Sequence, residues 1–224
     1  MGATDDVLSY LVELTAGKAP GTRLPSERDL ARKLGISRNA VHANVQHLVV
    51  AGRLTTQHGS GLFVAEPKAV IHLGEPGGGR DEQSGRRRFE SLVLDTGEGV
   101  AEAGLAAAIG AATGARTIEF RRLLLDGSDP VAAETVVLTP PAPAATTGAA
   151  FFDLLDRVPV AGTRTISCEL AAGRICRLLG VPVAQPLLVV ERVQDLRSAE
   201  VRVHVRTWYR ADRFVLRGQL TTEH

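Results

Sequence analysis

The sequence predicts an α+β chain in two parts: three short helices and a hairpin, then a largely antiparallel sheet with helices on one side. Three observations carry this. Apolar residues recur at helical spacing between residues 5 and 52. A stretch rich in Gly and charge, EPGGGRDEQSGRRR at residues 75–88, then breaks the hydrophobic pattern. Beyond it, apolar runs are joined by tight-turn signals such as Asp126-Gly127.

The elements follow in order. Val7, Leu8, Leu11, Val12 and Leu14 form one helical stripe, so residues 5–16 are expected to be an amphipathic helix that Gly17 ends. In LPSERDLARKLG, Ser26 is placed to cap a second helix, Asp29 stands at the reciprocal position of a capping box, and Gly35 stops the helix. Only Ile36 intervenes before Ser37, which can cap a third helix with Val41, Val45, Leu48 and Val49 turned inward and Gly52 at its end. The run TTQHGSGLFV then has two glycines and a histidine at a hairpin tip. Two helices joined by so tight a turn, followed by a hairpin, describe a winged helix-turn-helix.

A chain of 224 residues favours two modest domains, expected at residues 1–66 and 89–224 with a linker over 67–88. The linker carries no large apolar residue over 75–88 and cannot bury enough surface to offset its ordering entropy. No internal repeat relates the two segments.

Lys and Arg total 26 against 25 Asp and Glu, so net charge gives no global sign of a nucleic-acid or membrane partner. The sign is local. Between Lys18 and His58 there are seven basic residues, Lys18, Arg23, Arg28, Arg32, Lys33, Arg38 and Arg53, against Glu27 and Asp29. Ser37, Arg38 and Asn39 open the third helix off its apolar stripe, where a helix in a major groove would use Arg for guanine or phosphate, Asn for adenine and Ser for phosphate. His42 and Asn44 lie on later turns. Gly59 and Gly61 permit a tight turn and close backbone approach to DNA, with His58 reaching a groove or a phosphate. A solvated helix face is the plain alternative, which the tight turn and hairpin together weaken.

Two cysteines, Cys168 and Cys176, stand eight apart without metal-ligand spacing and are expected to be buried structural residues. No leader-like N-terminal run and no apolar stretch of about 18 residues occurs, so a cytoplasmic protein without membrane insertion is expected. No catalytic or cofactor motif such as GxSxG, Walker A, HExxH or GxGxxG after a strand is present, so no cofactor or metal is expected.

The run LPSERDLARKLGISRNAV, followed by GRLTTQHGSGLFV, resembles the DNA-binding domain of the GntR transcription regulators over residues 5–66. The resemblance implies operator contacts from Arg28, from Ser37, Arg38 and Asn39, and from His58 and Gly59. His42 replaces the arginine of the family's VR pair and Asn44 a usual alanine, which implies a shifted half-site and a pH-dependent affinity.

In the second segment, strands are expected over residues 89–95, 117–125, 131–138, 163–170, 187–196, 201–209 and 214–220, with helices over 100–109, 151–156 and 171–179. FRRLLLDGSDPVAAETVVL, ELAAGRICRLLGVPVAQPLLVVERV and WYRADRF look like the effector-sensing UTRA domain of the HutC subgroup. The resemblance spans about residues 89–220 and implies a chorismate-lyase-like fold. It places Arg121, Glu134 and Tyr209 in an effector pocket. Leu123, Ala150 and Val203 stand where sugar-phosphate-sensing members have arginine, serine and glutamate, which argues against a phosphosugar. Arg121 and Arg122 must point to opposite faces of a strand, as must Trp208 and Tyr209.

The function expected is a ligand-responsive regulator, most often a repressor in this family. It would act as a homodimer on double-stranded operator DNA and be released by a small-molecule effector. A chorismate-lyase-like enzyme with a fused DNA-binding head is the rival, and a passive architectural DNA binder a third class.

Overall fold

The computed structural model describes residues 3–57, 61–72, 89–140, 148–157, 164–196 and 201–218. They divide between two compact units, Met1–Lys68 with Ala211–Arg213, and Ala69–Arg210 with Phe214–His224.

In the first unit, helix α1 (Ala3–Thr15) is followed by strand β1 (Arg23–Leu24), helices α2 (Glu27–Leu34) and α3 (Arg38–Val50), and the hairpin strands β2 (Leu54–Gln57) and β3 (Gly61–Val64). Strand β1 was not foreseen; it pairs with β3 to give the order β1-β3-β2. The Ser26 hydroxyl accepts from the Asp29 N–H at 3.2 Å and donates to the Asp29 carboxylate at 2.6 Å. Gly35 takes φ 68°, where a side chain is strained, so its N–H can return to the Ala31 carbonyl and end α2 one residue before Ile36. Leu11, Leu30, Val41, Val45 and Leu54 close the core.

The second unit contains β4 (Ala69–His72), β5 (Glu90–Val100), α4 (Ala103–Ile109), β6 (Arg116–Asp126), β7 (Asp129–Leu138), α5 (Gly148–Arg157), β8 (Arg164–Leu170), α6 (Gly173–Leu179), β9 (Pro186–Leu196), β10 (Val201–Arg210) and β11 (Phe214–Arg217). Six strands form an antiparallel sheet in the order β5-β6-β7-β10-β9-β8. Strand β4 lies within the stretch expected to be linker, where Ala69–His72 pair in parallel with β11 and Ile71 packs with Phe214 and Tyr209. Residues 73–88 of that stretch lie outside the described residues.

The helices are not confined to one side of the sheet. Phe120 and Leu123 stand three apart on β6 in unbroken register with β7, so they point to opposite faces. Phe120 stacks on Phe151 of α5 at 4.4 Å, while Leu123 packs with Cys176 and Leu179 of α6. The reason lies in α5: its Phe151, Phe152 and Leu155 need a second apolar surface, and Val136, Val203 and Val205 supply it.

An internal repeat exists inside the second unit, between β5-α4-β6-β7 and β8-α6-β9-β10, at an offset of 70 residues. Ala101 N–H donates to the Ala115 carbonyl and Gly114 N–H to the Ala101 carbonyl; Ala171 with Gln185, and Ala184 with Ala171, repeat these bonds within 0.1 Å. Both helices end on a left-handed glycine, Gly110 and Gly180. Ala184, at φ 65°, takes the left-handed place that Gly114 fills at φ 82° in the first copy. The sheet order reads outward from β7 and β10 as two mirrored halves.

Candidate nucleic-acid interface and sensor site

In the first unit, the residues singled out on α3 lie together on its exposed face. Ser37, Arg38, Asn39 and His42 are exposed, as is Arg28 on α2, while Val41, Val45 and Leu48 fill the core beneath. Ser37 caps α3 by accepting from the Ala40 N–H at 3.2 Å, and the first turn carries no acidic residue. Its remaining N–H groups and dipole therefore favour an anion such as a phosphate. All seven basic residues between Lys18 and Arg53 are exposed.

Glu27 was not singled out from sequence, yet it organises this surface. Its side chain is 19% exposed; one oxygen lies 2.8 Å from His42 Nδ1 and the other 3.7 Å from Arg38 Nε. The first contact spans the two helices and orients the imidazole, while the second is a long surface pair that leaves Arg38 cheap to reorient. Asn44, expected to be an outward position, is buried; its amide donates to the Ala40 carbonyl at 2.8 Å and its Oδ1 has no partner. Its place one turn from Ala40 and Val41 turns it toward the core. His58 and Gly59 at the hairpin tip lie outside the described residues.

In the second unit, the three residues expected to line an effector pocket do not converge. Arg121 shares a face with Leu123 and pairs with Glu119 and with Asp95 at 3.0 Å, and Asp95 also takes Arg174 at 3.0 Å. Glu134 points the other way. It stands directly across from Arg122 on β6 and Thr207 on β10, and Tyr209, two residues along, shares that face. The arginine that meets Glu134 is therefore Arg122. Adjacent arginines alternate, and the strand register that separates them is not visible in one sequence.

The resulting cluster is buried and fully engaged. Arg122 Nε and Nη2 reach Glu134 Oε1 at 2.8 and 2.6 Å, its Nη1 and Nη2 donate to the two Asp156 oxygens at 2.7 and 2.8 Å, and its guanidinium carbon lies 4.3 Å from the centre of the Phe152 ring. Thr207 donates to Glu134 Oε2 at 2.7 Å, and Arg192 Nη2 stands 3.5 Å from the same oxygen. Arg192 is the repeat counterpart of Arg122, but the residue across from it on β10 is Val205, so two arginines share one strand carboxylate. Arg164 lies across from Arg192 on β8.

Burial alone would raise the Glu134 pKa, but Arg122, Arg192 and the Thr207 hydroxyl hold it below the ordinary value. For Arg122 burial acts to release the proton and the two carboxylates outweigh it, so its pKa is raised. Tyr209 is pushed up to about 12 by burial and by the Glu134 charge. Burial and then Arg192 lower Arg164. Trp208, on the far face, donates to Glu169 at 3.2 Å. Cys176 is buried as expected, whereas Cys168 is exposed because β8 is the sheet edge. Among the described residues no group of His, Cys, Asp or Glu could hold a metal, and no helix is long and apolar enough to cross a membrane.

A basic winged helix ahead of a sheet domain with a buried, charged cluster defines the class: a DNA-binding regulator with a sensory domain. The profile of the bacterial regulatory proteins of the gntR family matches residues 15–64, and that of the UTRA domain matches residues 84–215. The chain is 25% identical over 213 residues to the HTH-type transcriptional repressor NagR of Bacillus subtilis, covering 87% of this chain and 84% of that one. It is 30% identical over 181 residues to the histidine utilization repressor of Pseudomonas aeruginosa, covering 77% and 72%. PhnF from Mycobacterium smegmatis has the same fold, with TM-score 0.56 and 23% identity over 97% of this chain and 100% of that one. The chain belongs to the UTRA-domain, HutC-type branch of the GntR family of transcription regulators. That is a family of DNA-binding proteins, which sets the enzyme reading aside.

Proposed function

We propose that this protein is a cytoplasmic transcriptional repressor that binds a pseudo-palindromic operator as a homodimer and releases it when a small molecule occupies the second unit. Residues 1–66 form the DNA-binding head in this reading, and residues 89–224 the effector-binding and dimerisation domain. The observation that carries it is the exposed, acid-free first turn of α3, with Ser37, Arg38 and Asn39 together above a closed apolar core. Two relatives named as repressors support repression. One recognition helix reads only a few base pairs, so useful specificity calls for two heads on inverted half-sites. Release follows if the effector binds the DNA-incompetent arrangement more tightly.

Selection of duplexes from a random library by the full chain tests this reading. Enrichment of two inverted half-sites, with two chains bound per duplex, is expected. No enrichment, or a single half-site bound by one chain, would overturn it.

A further inference from the structure

The two carboxylates on Arg122 differ in kind. Glu134 is fully buried on β7, accepts Thr207 as well, and faces Arg192, so it is part of the sheet. Asp156 comes from the last turn of α5, and its side chain is 33% exposed while that of Arg122 is 1% exposed. Phe152 precedes it by one helical turn and lies against the same guanidinium. Helix α5 thus covers Arg122 with a ring and a carboxylate, and the carboxylate binds two-pronged through Nη1 and Nη2. That is the geometry a free carboxylate would adopt.

Charge narrows what could replace it. Among the described residues Arg122 and Arg192 bring two positive charges to the cluster and Arg164, across from Arg192, a third, against the carboxylates of Glu134 and Asp156. The repeat leaves Arg192 with Val205 across from it, so Arg122 shares Glu134 and takes its second carboxylate from Asp156. A monoanion that displaces Asp156 preserves that arrangement. A neutral ligand would leave the buried Arg122 guanidinium with only the carboxylate that it shares with Arg192.

We propose that Asp156 is a built-in stand-in for the effector: the ligand is a small organic molecule with one carboxylate, which takes the Nη1–Nη2 edge of Arg122 by displacing Asp156. Binding and release of the end of α5 from the sheet are then one event, which converts occupancy into movement. The proposal rests on the reading of this unit as an effector-binding domain and names the chemistry of that site.

The test uses acetate as probe on the full chain. Melting of the wild type, Asp156→Ala and Asp156→Asn is followed as acetate replaces chloride at constant ionic strength. Asp156→Ala should melt below the wild type in chloride and recover saturably with acetate, half-saturating at a concentration at least about tenfold lower than the wild type requires, since its internal competitor is gone. Asp156→Asn keeps the side-chain shape without the charge and should show the same ordering, which carries the test if the alanine variant does not fold. Equal acetate responses in all three proteins, or none, would overturn the proposal, and tighter stabilisation by inorganic phosphate than by acetate would overturn the carboxylate assignment. Melting needs no DNA, so the two readings fail separately. Acetate rescue in a chain that selects no duplex refutes the regulator alone, and duplex selection with equal acetate responses refutes the stand-in alone.

Discussion

Replacing Glu134 by Gln isolates the charge at the centre of the second unit. The amide keeps the shape and can still accept from Arg122, and the Thr207 hydroxyl can turn to accept from it. What disappears is the one carboxylate that two buried arginines share, at 2.6 and 3.5 Å. Removing one member of a buried ion pair typically costs about 3–5 kcal/mol. For a unit of this size that lowers the melting temperature by about 6–20 °C at pH 7. The Glu134 carboxyl titrates below its ordinary 4.5 in the folded chain, so its contribution is complete above about pH 4.5 and is lost as pH falls through the lower folded value. Calorimetry of both proteins from pH 7 downward is the assay: the gap between wild type and Glu134→Gln should stay wide to about pH 4.5 and then close. A loss of less than about 1 kcal/mol at pH 7, the worth of an exposed pair, would refute the reasoning.

Other expectations follow from single observations. Arg38→Ala should weaken binding to the selected duplex by about 1–3 kcal/mol, roughly five- to 150-fold in Kd, and relax one base position, with melting unchanged; anisotropy titrations measure it. Ala184→Gly relieves a left-handed backbone that its counterpart Gly114 already accommodates, and should raise stability by about 1 kcal/mol in denaturant titration. A thiol reagent should modify Cys168 in the native chain and reach Cys176 only on unfolding, as mass spectrometry would show.

Helical stripes and caps made the first unit readable, because Ser26, Gly35 and Ser37 act within their own turns. The strands of the second unit were also readable, but which face each residue takes depends on partners far along the chain. Arg121 and Arg122 are indistinguishable until β7 and β10 set Glu134 and Thr207 across from one of them. Asp156 reaches Arg122 from 34 residues away, a contact no local pattern announces. The repeat is faint in the sequence because Ala101 and Ala171, Gly110 and Gly180, and Arg122 and Arg192 are the only identities at that offset between residues 100–126 and 170–196, while the backbone bonds that reveal it exist only in three dimensions. Helix α5 was expected to lie with the others because its second apolar surface is assembled from β6, β7 and β10.

Amide hydrogen exchange of the full chain, with and without its selected duplex, tests the central claim most directly. Slowed exchange across residues 38–43, at the exposed start of α3, is the predicted result. Unchanged exchange there, with protection confined to the sheet of the second unit, would contradict it.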